Sequence, residues 1–270
     1  MYFFISQLSI SDIILPTDIV PNLLHILLNN GGTITFIGCI TQFYFFDATE
    51  VFESVLLSVM SYDRYVAICN PLRYTSIMTN GYCVKLAAMC LLLGNLVSLT
   101  ASITLSQLHF CGPNIIDHVF CDIVPLFELA CSGTFIVHLE IYFIGAPIII
   151  TATTIIIVSY TYIVLEVLRI QSSTGRQKAF STCSSHLIVV SIFYWTILVV
   201  YVLPKSGQTG VVNAFLSLLY TVFTPLINPI IYSLRNNEIK AAYPRALRYP
   251  TADLCCGSRS LQTDLRSQTI

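Results

Sequence analysis

Charged side chains are scarce in this sequence. Only 10% of the 270 residues are Asp, Glu, Lys or Arg, whereas soluble globular domains carry about 25%. No repeat relates the two halves of the chain, which argues against a transporter or channel. No nucleophile and base recur at a plausible site, so we expect that the protein is not an enzyme. An Asn-x-Ser/Thr glycosylation signal is also absent.

Long apolar runs take the place of the missing charge. Hydrophobic residues make up 55% of the chain, and the mean hydropathy is +0.77. A helix rises 1.5 Å per residue and needs about 20 apolar residues to cross a hydrocarbon core of roughly 30 Å. Six runs meet this length and are predicted to be membrane spans, with acidic residues in the first two. They comprise residues 3–28, 34–62, 83–105, 137–168, 179–203 and 211–234.

The basic residues predict the orientation of these spans. All thirteen Lys and Arg residues except Lys205 lie on one side, in two loops between spans or after the last span. The positive-inside rule assigns that side to the cytoplasm and therefore places both chain ends there. The charged residues are therefore sorted by membrane side, and the net charge of −1 gives no indication of nucleic-acid binding. We expect the lipid bilayer, and no nucleic acid, as a partner.

Four cysteines fall on the predicted outer side. Cys39 lies near the outer start of the second span, and Cys111, Cys121 and Cys131 lie in the long loop that follows the third. The cell exterior is oxidising, so disulfides are expected among them. Four cysteines allow three pairings, and their spacing alone does not choose between these.

Four separated motifs resemble one receptor family. The most informative is MSYDRYVAICNPLRY at 60–74, in which Asp63 and Arg64 follow a long apolar helix. A charge at bilayer depth costs on the order of 3 kcal/mol, so such a pair marks a membrane edge or a working site. The other motifs are MYFFISQLS with Asp12, KAFSTCSSHL at 178–187 and PLINPIIYSLRN at 225–236. Together they resemble the odorant receptors, a branch of the rhodopsin-like G-protein-coupled receptors.

The resemblance implies an all-α fold: a multi-pass transmembrane bundle of the rhodopsin-like seven-helix type, with six spans in this chain. The receptor domain would cover residues 1–242 as helices 2 to 7 of the family, and residues 243–270 would form a disordered cytoplasmic tail. No run matches the family's first helix. We therefore expect either a truncated receptor, nonfunctional and retained in the endoplasmic reticulum, or an active receptor.

The resemblance also implies a function. An active member would bind a small volatile odorant within the helices and activate a heterotrimeric G protein of the stimulatory olfactory type. Its location would be the plasma membrane of sensory cilia. By family analogy the disulfides would pair Cys39 with Cys121 and Cys111 with Cys131.

A second set of residues is expected to transmit the signal. Asp63 and Arg64, with Tyr65 beside them, would form an inner latch. Pro229 removes one backbone hydrogen bond and permits the last helix to bend, which makes that helix a candidate moving part. Its other predicted members are Asn228 and Tyr232.

The predicted ligand pocket lies in the outer half of the bundle. Asp47 and Glu50 are three residues apart and share a helix face, and carboxylates within a membrane are functional candidates. They favour a ligand with a donor group, an amine or an alcohol; the alternative is that they never touch the ligand. Trp195 stands where the family usually has Gly and is expected to narrow or reshape the pocket. The full predicted set is Phe46, Asp47, Glu50, Val51, Tyr194, Ile197, Tyr201 and Thr221.

Deeper in the bundle, Asp12, Glu53 and Asn228 are candidates for a sodium site, by resemblance to many rhodopsin-like receptors. Glu53 lies three helical turns before Arg64 and on the same face. Two buried carboxylates do not both stay charged unless a cation or a shared proton intervenes. A proton-sharing pair without metal is the alternative. No other cofactor is expected.

Overall fold

The computed structural model describes residues 1–29, 31–111, 115–116, 118–131, 133–202 and 218–235. Within these ranges the chain is almost entirely helical, and an isolated bridge between Phe110 and Ala130 is the one β-type pairing. The all-α prediction is confirmed. The predicted tail at 243–270 lies outside the described residues.

Nine α-helices form the described part of the fold. Three turns of π-helix, at Ile141–Gly145, Leu198–Val202 and Leu219–Phe223, continue or precede long helices. A 3-10 turn at Pro71–Arg73 precedes α3. The α-helices are α1 (Tyr2–Leu28), α2 (Phe36–Cys69), α3 (Tyr74–Ile77), α4 (Asn80–Ser106), α5 (Ile123–Leu129), α6 (Phe135–Glu140), α7 (Ala146–Arg169), α8 (Ser173–Ile197) and α9 (Thr224–Arg235).

The long helices correspond to the predicted spans. Four segments are long and apolar enough to cross a membrane by length and composition: Tyr2–Leu28, Asn80–Ser106, Phe135–Arg169 and Cys183–Val200. Helix α2 has 34 residues, about 51 Å at 1.5 Å per residue, but its acidic residues keep it out of that apolar set. The sixth predicted span is described only from residue 218, where Thr221–Ile231 forms a shorter apolar helix.

Helix α2 is the central element of the bundle. It packs against α1, α4 and α7, and α9 packs against α1 and α8. The contact with α4 is close because Gly94 has no side chain: a Cβ there would lie 2.7 Å from the carbonyl oxygen of Ala48. Any larger residue at 94 would push the two helices apart, so this glycine determines their separation.

Capping side chains begin three of the long helices. The Thr35 hydroxyl accepts a hydrogen bond from the backbone of Gly38 at the start of α2. Thr79 and Ser172 do the same for α4 and α8. Each cap satisfies a backbone N–H that has no partner within the helix. The helix starts are therefore encoded locally, in residues next to the apolar runs.

Two disulfides hold the outer loop against the bundle. Cys39 is bonded to Cys121 and Cys111 to Cys131, with Cα–Cα distances of 5.4 Å and 5.8 Å. These are the two pairings that the resemblance implies. Gln42, one turn after Cys39, reinforces the first: its side-chain oxygen accepts a hydrogen bond of 3.1 Å from the backbone of Cys121.

Candidate ligand and signalling site

The Asp63 carboxylate is anchored at the inner end of α2. Asp63 is fully buried, and the hydroxyl of Tyr74 on α3 donates a hydrogen bond of 3.0 Å to it. Burial and the adjacent Asp63 charge raise the pKa of Tyr74 to about 12, so the phenol stays protonated and remains a donor. Arg64 lies beside the pair, with its Nε 3.9 Å from the second Asp63 oxygen.

Aromatic and imidazole side chains connect this inner end to α7 and α8. The Tyr65 ring lies 5.8 Å from that of Tyr162 on α7. On the facing helices, His186 of α8 stacks on Tyr160 of α7 and shares a hydrogen bond of 2.5 Å with its hydroxyl. His186 is fully buried. The inner ends of α2, α7 and α8 thus meet through polar aromatic contacts.

The structure brings Asp12 and Asn228 together. The Asn228 amide donates a hydrogen bond of 2.8 Å to the Asp12 carboxylate, joining α9 to α1. Glu53 on α2 is buried and lies close enough to Asp12 for their charges to interact. Glu53 Oε1 and Asn228 Oδ1 have no hydrogen-bond partner among the described residues. Buried acceptors without partners fit a small cation or a shared proton.

The described residues form no cluster of several metal-ligating side chains. Across the described ranges, no group of three or more His, Cys, Asp or Glu side chains is arranged to hold a metal ion. Pro229 lies inside α9, and a bend of the helix at this residue stays a prediction. Tyr232 belongs to the same helix and Tyr201 to the π-turn that follows α8, but their side chains are outside the described part of the structure.

The two acidic pocket residues differ in their surroundings. Asp47 accepts a hydrogen bond of 2.5 Å from Ser98 on α4, so one of its oxygens is engaged between helices. Glu50 is partly buried and has no hydrogen-bond partner among the described residues. The charges of Asp47 and of Asp122 in the outer loop both act on it. Glu50 is therefore the carboxylate available to a ligand.

The remaining predicted pocket residues are only partly assembled. The Tyr194 hydroxyl on α8 contacts Ser54 on α2, 3.1 Å from its Oγ and 3.2 Å from its carbonyl oxygen, one turn inward from Glu50. Phe46 is buried and packs on Phe120 of the outer loop. Thr221 is fully buried. Val51 and Ile197 are partly buried on their helices.

Trp195 does not enter the pocket. Its side chain is 66% exposed on the outside of α8, whereas the preceding Tyr194 faces α2. The side chains of consecutive helix residues point about 100° apart, so when Tyr194 faces the bundle interior Trp195 does not. The expectation that Trp195 narrows or reshapes the pocket is wrong.

A cavity of about 660 Å³ opens at the outer end of the bundle, away from the predicted pocket. It lies between α1, the start of α2 and the outer loop. Its described lining residues include Cys39 and Cys121 and none of the eight predicted ligand residues. Sequence reasoning missed it because Asn22, Thr33 and Phe120, which line it, come from separate segments and form no local pattern.

Comparison with known proteins agrees with this architecture. The family model described as "Olfactory receptor" matches residues 1–249. The chain belongs to the olfactory receptor family. Members are G-protein-coupled receptors, so it is a membrane receptor and not an enzyme. Olfactory receptor 5P60 of Mus musculus is 46% identical over 250 residues, covering 92% of this chain and 77% of that protein.

Human relatives are equally similar. Olfactory receptor 11H6 of Homo sapiens is 46% identical over 247 residues, which is 92% of this chain and 75% of that receptor. Olfactory receptor 10A7 of Homo sapiens is 45% identical over 247 residues, 92% of this chain and 78% of that receptor. All of the described bundle, which ends at residue 235, falls within the match to the olfactory receptor family model.

Several side chains of this receptor bundle were not predicted to matter. Tyr74, Ser98, Ser54 and Gln42 each make a hydrogen bond to a predicted residue or to its backbone. Periodicity gives a weak signal for Gln42 because it lies one turn from Cys39. Tyr74 lies only eleven residues after Asp63, within the same motif at 60–74, so the motif is the signal that could have identified it. Ser98 and Ser54 lie 51 and 140 residues from their partners, and only the packing of the helices brings these pairs together.

Proposed function

We propose that this chain is an odorant receptor that binds a small volatile molecule in the bundle and activates a stimulatory olfactory G protein. The observation that carries the proposal is that one helix, α2, bears both functional regions. Asp47 and Glu50 lie in its outer half, and Asp63 and Arg64 lie at its inner end. A ligand that binds one arrangement of α2 more tightly shifts the population toward it.

The ligand proposed for the acidic pocket carries a hydrogen-bond donor, as an amine or an alcohol. Glu50 supports this because its carboxylate has no partner among the described residues, while Asp47 is already bonded to Ser98. A carboxylate that is withdrawn from water gains most from a charged or strong donor. A pure hydrocarbon offers neither and would leave the carboxylate unsatisfied.

The proposal is tested by cyclic AMP production in cells that contain the olfactory G protein. A panel of straight-chain amines, alcohols and alkanes of equal length is applied, and surface expression is measured in parallel. We expect responses to amines or alcohols and their loss in Arg64→Ala at unchanged surface expression. Signalling that survives Arg64→Ala would overturn the latch, and a chain held in the endoplasmic reticulum would favour the nonfunctional truncated receptor.

Sodium is proposed as an allosteric ion at Asp12, Glu53 and Asn228. Its support is the two buried acceptors, Glu53 Oε1 and Asn228 Oδ1, that lack partners in the described structure. Replacing sodium by choline at constant ionic strength is expected to shift the ligand response of the wild-type receptor but not that of Asp12→Asn. Identical response curves in the two salts would favour the shared proton.

The proposed location is the plasma membrane of sensory cilia. Its support is the family match, together with helices long and apolar enough to cross a bilayer. Immunofluorescence of the tagged chain in olfactory neurons tests it. Staining confined to the endoplasmic reticulum would argue against the ciliary location.

A further inference from the structure

The outer cavity differs in chemistry from the acidic pocket. Its described lining residues include no Asp, Glu, Lys or Arg side chain. Aromatic rings form much of its wall, with Phe36 packed edge-to-face on Phe110 at a centroid distance of 5.7 Å. The polar groups that reach it are those of Asn22, Thr33 and His118. An apolar wall with a few polar groups is the usual composition of a small-molecule site.

The cavity is also large enough and stable enough to hold a ligand. Its volume of about 660 Å³ is within the roughly 300–1,000 Å³ of typical ligand pockets. The Cys39–Cys121 disulfide forms part of its wall and fixes the outer loop to α2. This part of the lining is therefore held together covalently.

A layer of buried apolar side chains separates the two regions. Phe120, which lines the cavity, packs against Phe46 on α2 with ring centroids 4.9 Å apart. Leu15 and Ile19 of α1 complete the layer, and all four residues are at most 3% exposed. Asp47 follows Phe46 directly in α2, and its carboxylate is bonded to Ser98 of α4. Neither Asp47 nor Glu50 is among the described lining residues of the outer cavity.

We propose that the outer cavity is a second binding site, which takes an uncharged, largely apolar molecule carrying one hydrogen-bond acceptor. The ring of such a molecule would pack against the aromatic wall, and its acceptor would bind the Asn22 amide or the Thr33 hydroxyl. A protonated amine is disfavoured because no described lining side chain carries a compensating negative charge. This site is distinct from the acidic pocket of the proposed function.

The test is fluorine NMR of the purified full chain in lipid nanodiscs, with 4-fluoroacetophenone as the probe. This ketone is uncharged and carries one aromatic ring and one acceptor. We expect saturable binding that weakens about tenfold or more, equal to 1.4 kcal/mol or more, in Thr33→Trp. Thr33 is exposed and lines the cavity, so an indole there fills the space without replacing a core residue.

Ile37→Trp is the matched control. Ile37 lies four residues away, is 78% exposed and is not among the lining residues, so this variant should bind the ketone like the wild type. Asn22→Leu keeps the side-chain volume and removes the amide, and is expected to weaken binding about fivefold. Equal binding by Thr33→Trp and Ile37→Trp, or no saturable binding by the wild type, would overturn the proposal.

The outcome is separable from the proposed function because no G protein enters the measurement. A chain that binds the ketone but produces no cyclic AMP with any ligand would retain the second site and lose the receptor function. A chain that signals to amines but shows no saturable ketone binding would retain the receptor function and refute the second site. Glu50→Gln serves as a further control: it should leave ketone affinity unchanged, and a tenfold loss would place the ketone in the acidic pocket and refute the second site.

Discussion

Asn228 of α9 donates a hydrogen bond of 2.8 Å to the carboxylate of Asp12 on α1. Both side chains are buried, at 2% and 6% exposure, and the bonded residues are 216 positions apart in the chain. Removing one partner leaves the other desolvated and unbonded, which costs about 1–3 kcal/mol. This contact is therefore a structural link between the two ends of the described bundle.

We expect Asn228→Leu to lower the free energy of unfolding by about 1–3 kcal/mol, measured by titration of the purified protein with a denaturing detergent. Asn29→Ala is the matched control. Asn29 is exposed just after α1, and among the described residues its side chain bonds to the backbone of His25 alone, so its loss should change stability by no more than about 0.5 kcal/mol. Equal effects of the two variants would contradict a structural role for Asn228.

Tyr74 gives a pH dependence with a defined sign. Its pKa of about 12 in the folded protein exceeds the ordinary value of about 10, so folding favours the protonated phenol. The stabilisation is fully present below pH 10 and is lost as the pH rises toward 12. We expect the melting temperature of the wild type to fall more between pH 9 and 11 than that of Tyr74→Phe.

Tyr82→Phe serves as the comparison for this measurement, because Tyr82 lies on the adjacent helix with an exposed ring. It should follow the wild-type profile across the whole pH range. A Tyr74→Phe protein with the same alkaline slope as the wild type would show that ionisation of the Tyr74 phenol is not linked to folding.

The sequence predicted the helices well and their inner ends less well. The second span was predicted to end at residue 62, where the charged pair begins, but α2 continues to Cys69. The charges indicated a membrane edge or a working site, but the helix does not end there. The hydroxyl of Tyr74 donates a hydrogen bond to the buried Asp63, and hydropathy contains no information about such a partner.

The orientation of a side chain was predictable only where a family motif or the buried face of its helix was known. Tyr194 faces α2 as expected, whereas Trp195 points outward. The separation of 100° between neighbouring residues would have distinguished them once one orientation was known. The outer cavity could not be predicted, because its wall combines α1, the start of α2 and a disulfide-bonded loop.

The different surroundings of Asp47 and Glu50 predict unequal effects on ligand response. Glu50 has no described hydrogen-bond partner, while Asp47 is held by Ser98. We expect Glu50→Gln to raise the half-maximal concentration of hexylamine about tenfold or more, as loss of a charged hydrogen bond does. Hexanol should change by less than about threefold, and Asp47→Asn should have the smaller effect on hexylamine. Unchanged ligand ranking in both variants would refute contact with the acids.

The two disulfides are expected to stabilise the protein unequally. Cys39 and Cys121 are 82 residues apart, and Cys111 and Cys131 are 20 apart. A cross-link removes more entropy from the unfolded chain when it closes a longer loop, and this ratio of lengths corresponds to about 1 kcal/mol. Replacing Cys39 and Cys121 together by Ala should therefore cost about 2–5 kcal/mol, and replacing the second pair should cost less.

Cys83→Ala controls for the loss of a cysteine as such, because Cys83 is a partly buried free thiol. Detergent titration of the three variants gives the order directly. Because the Cys39–Cys121 bond also walls the outer cavity, its loss should additionally weaken ketone binding, whereas Cys83→Ala should not. A greater loss of stability from removing Cys111–Cys131 would mean that loop entropy does not determine which disulfide stabilises the protein more.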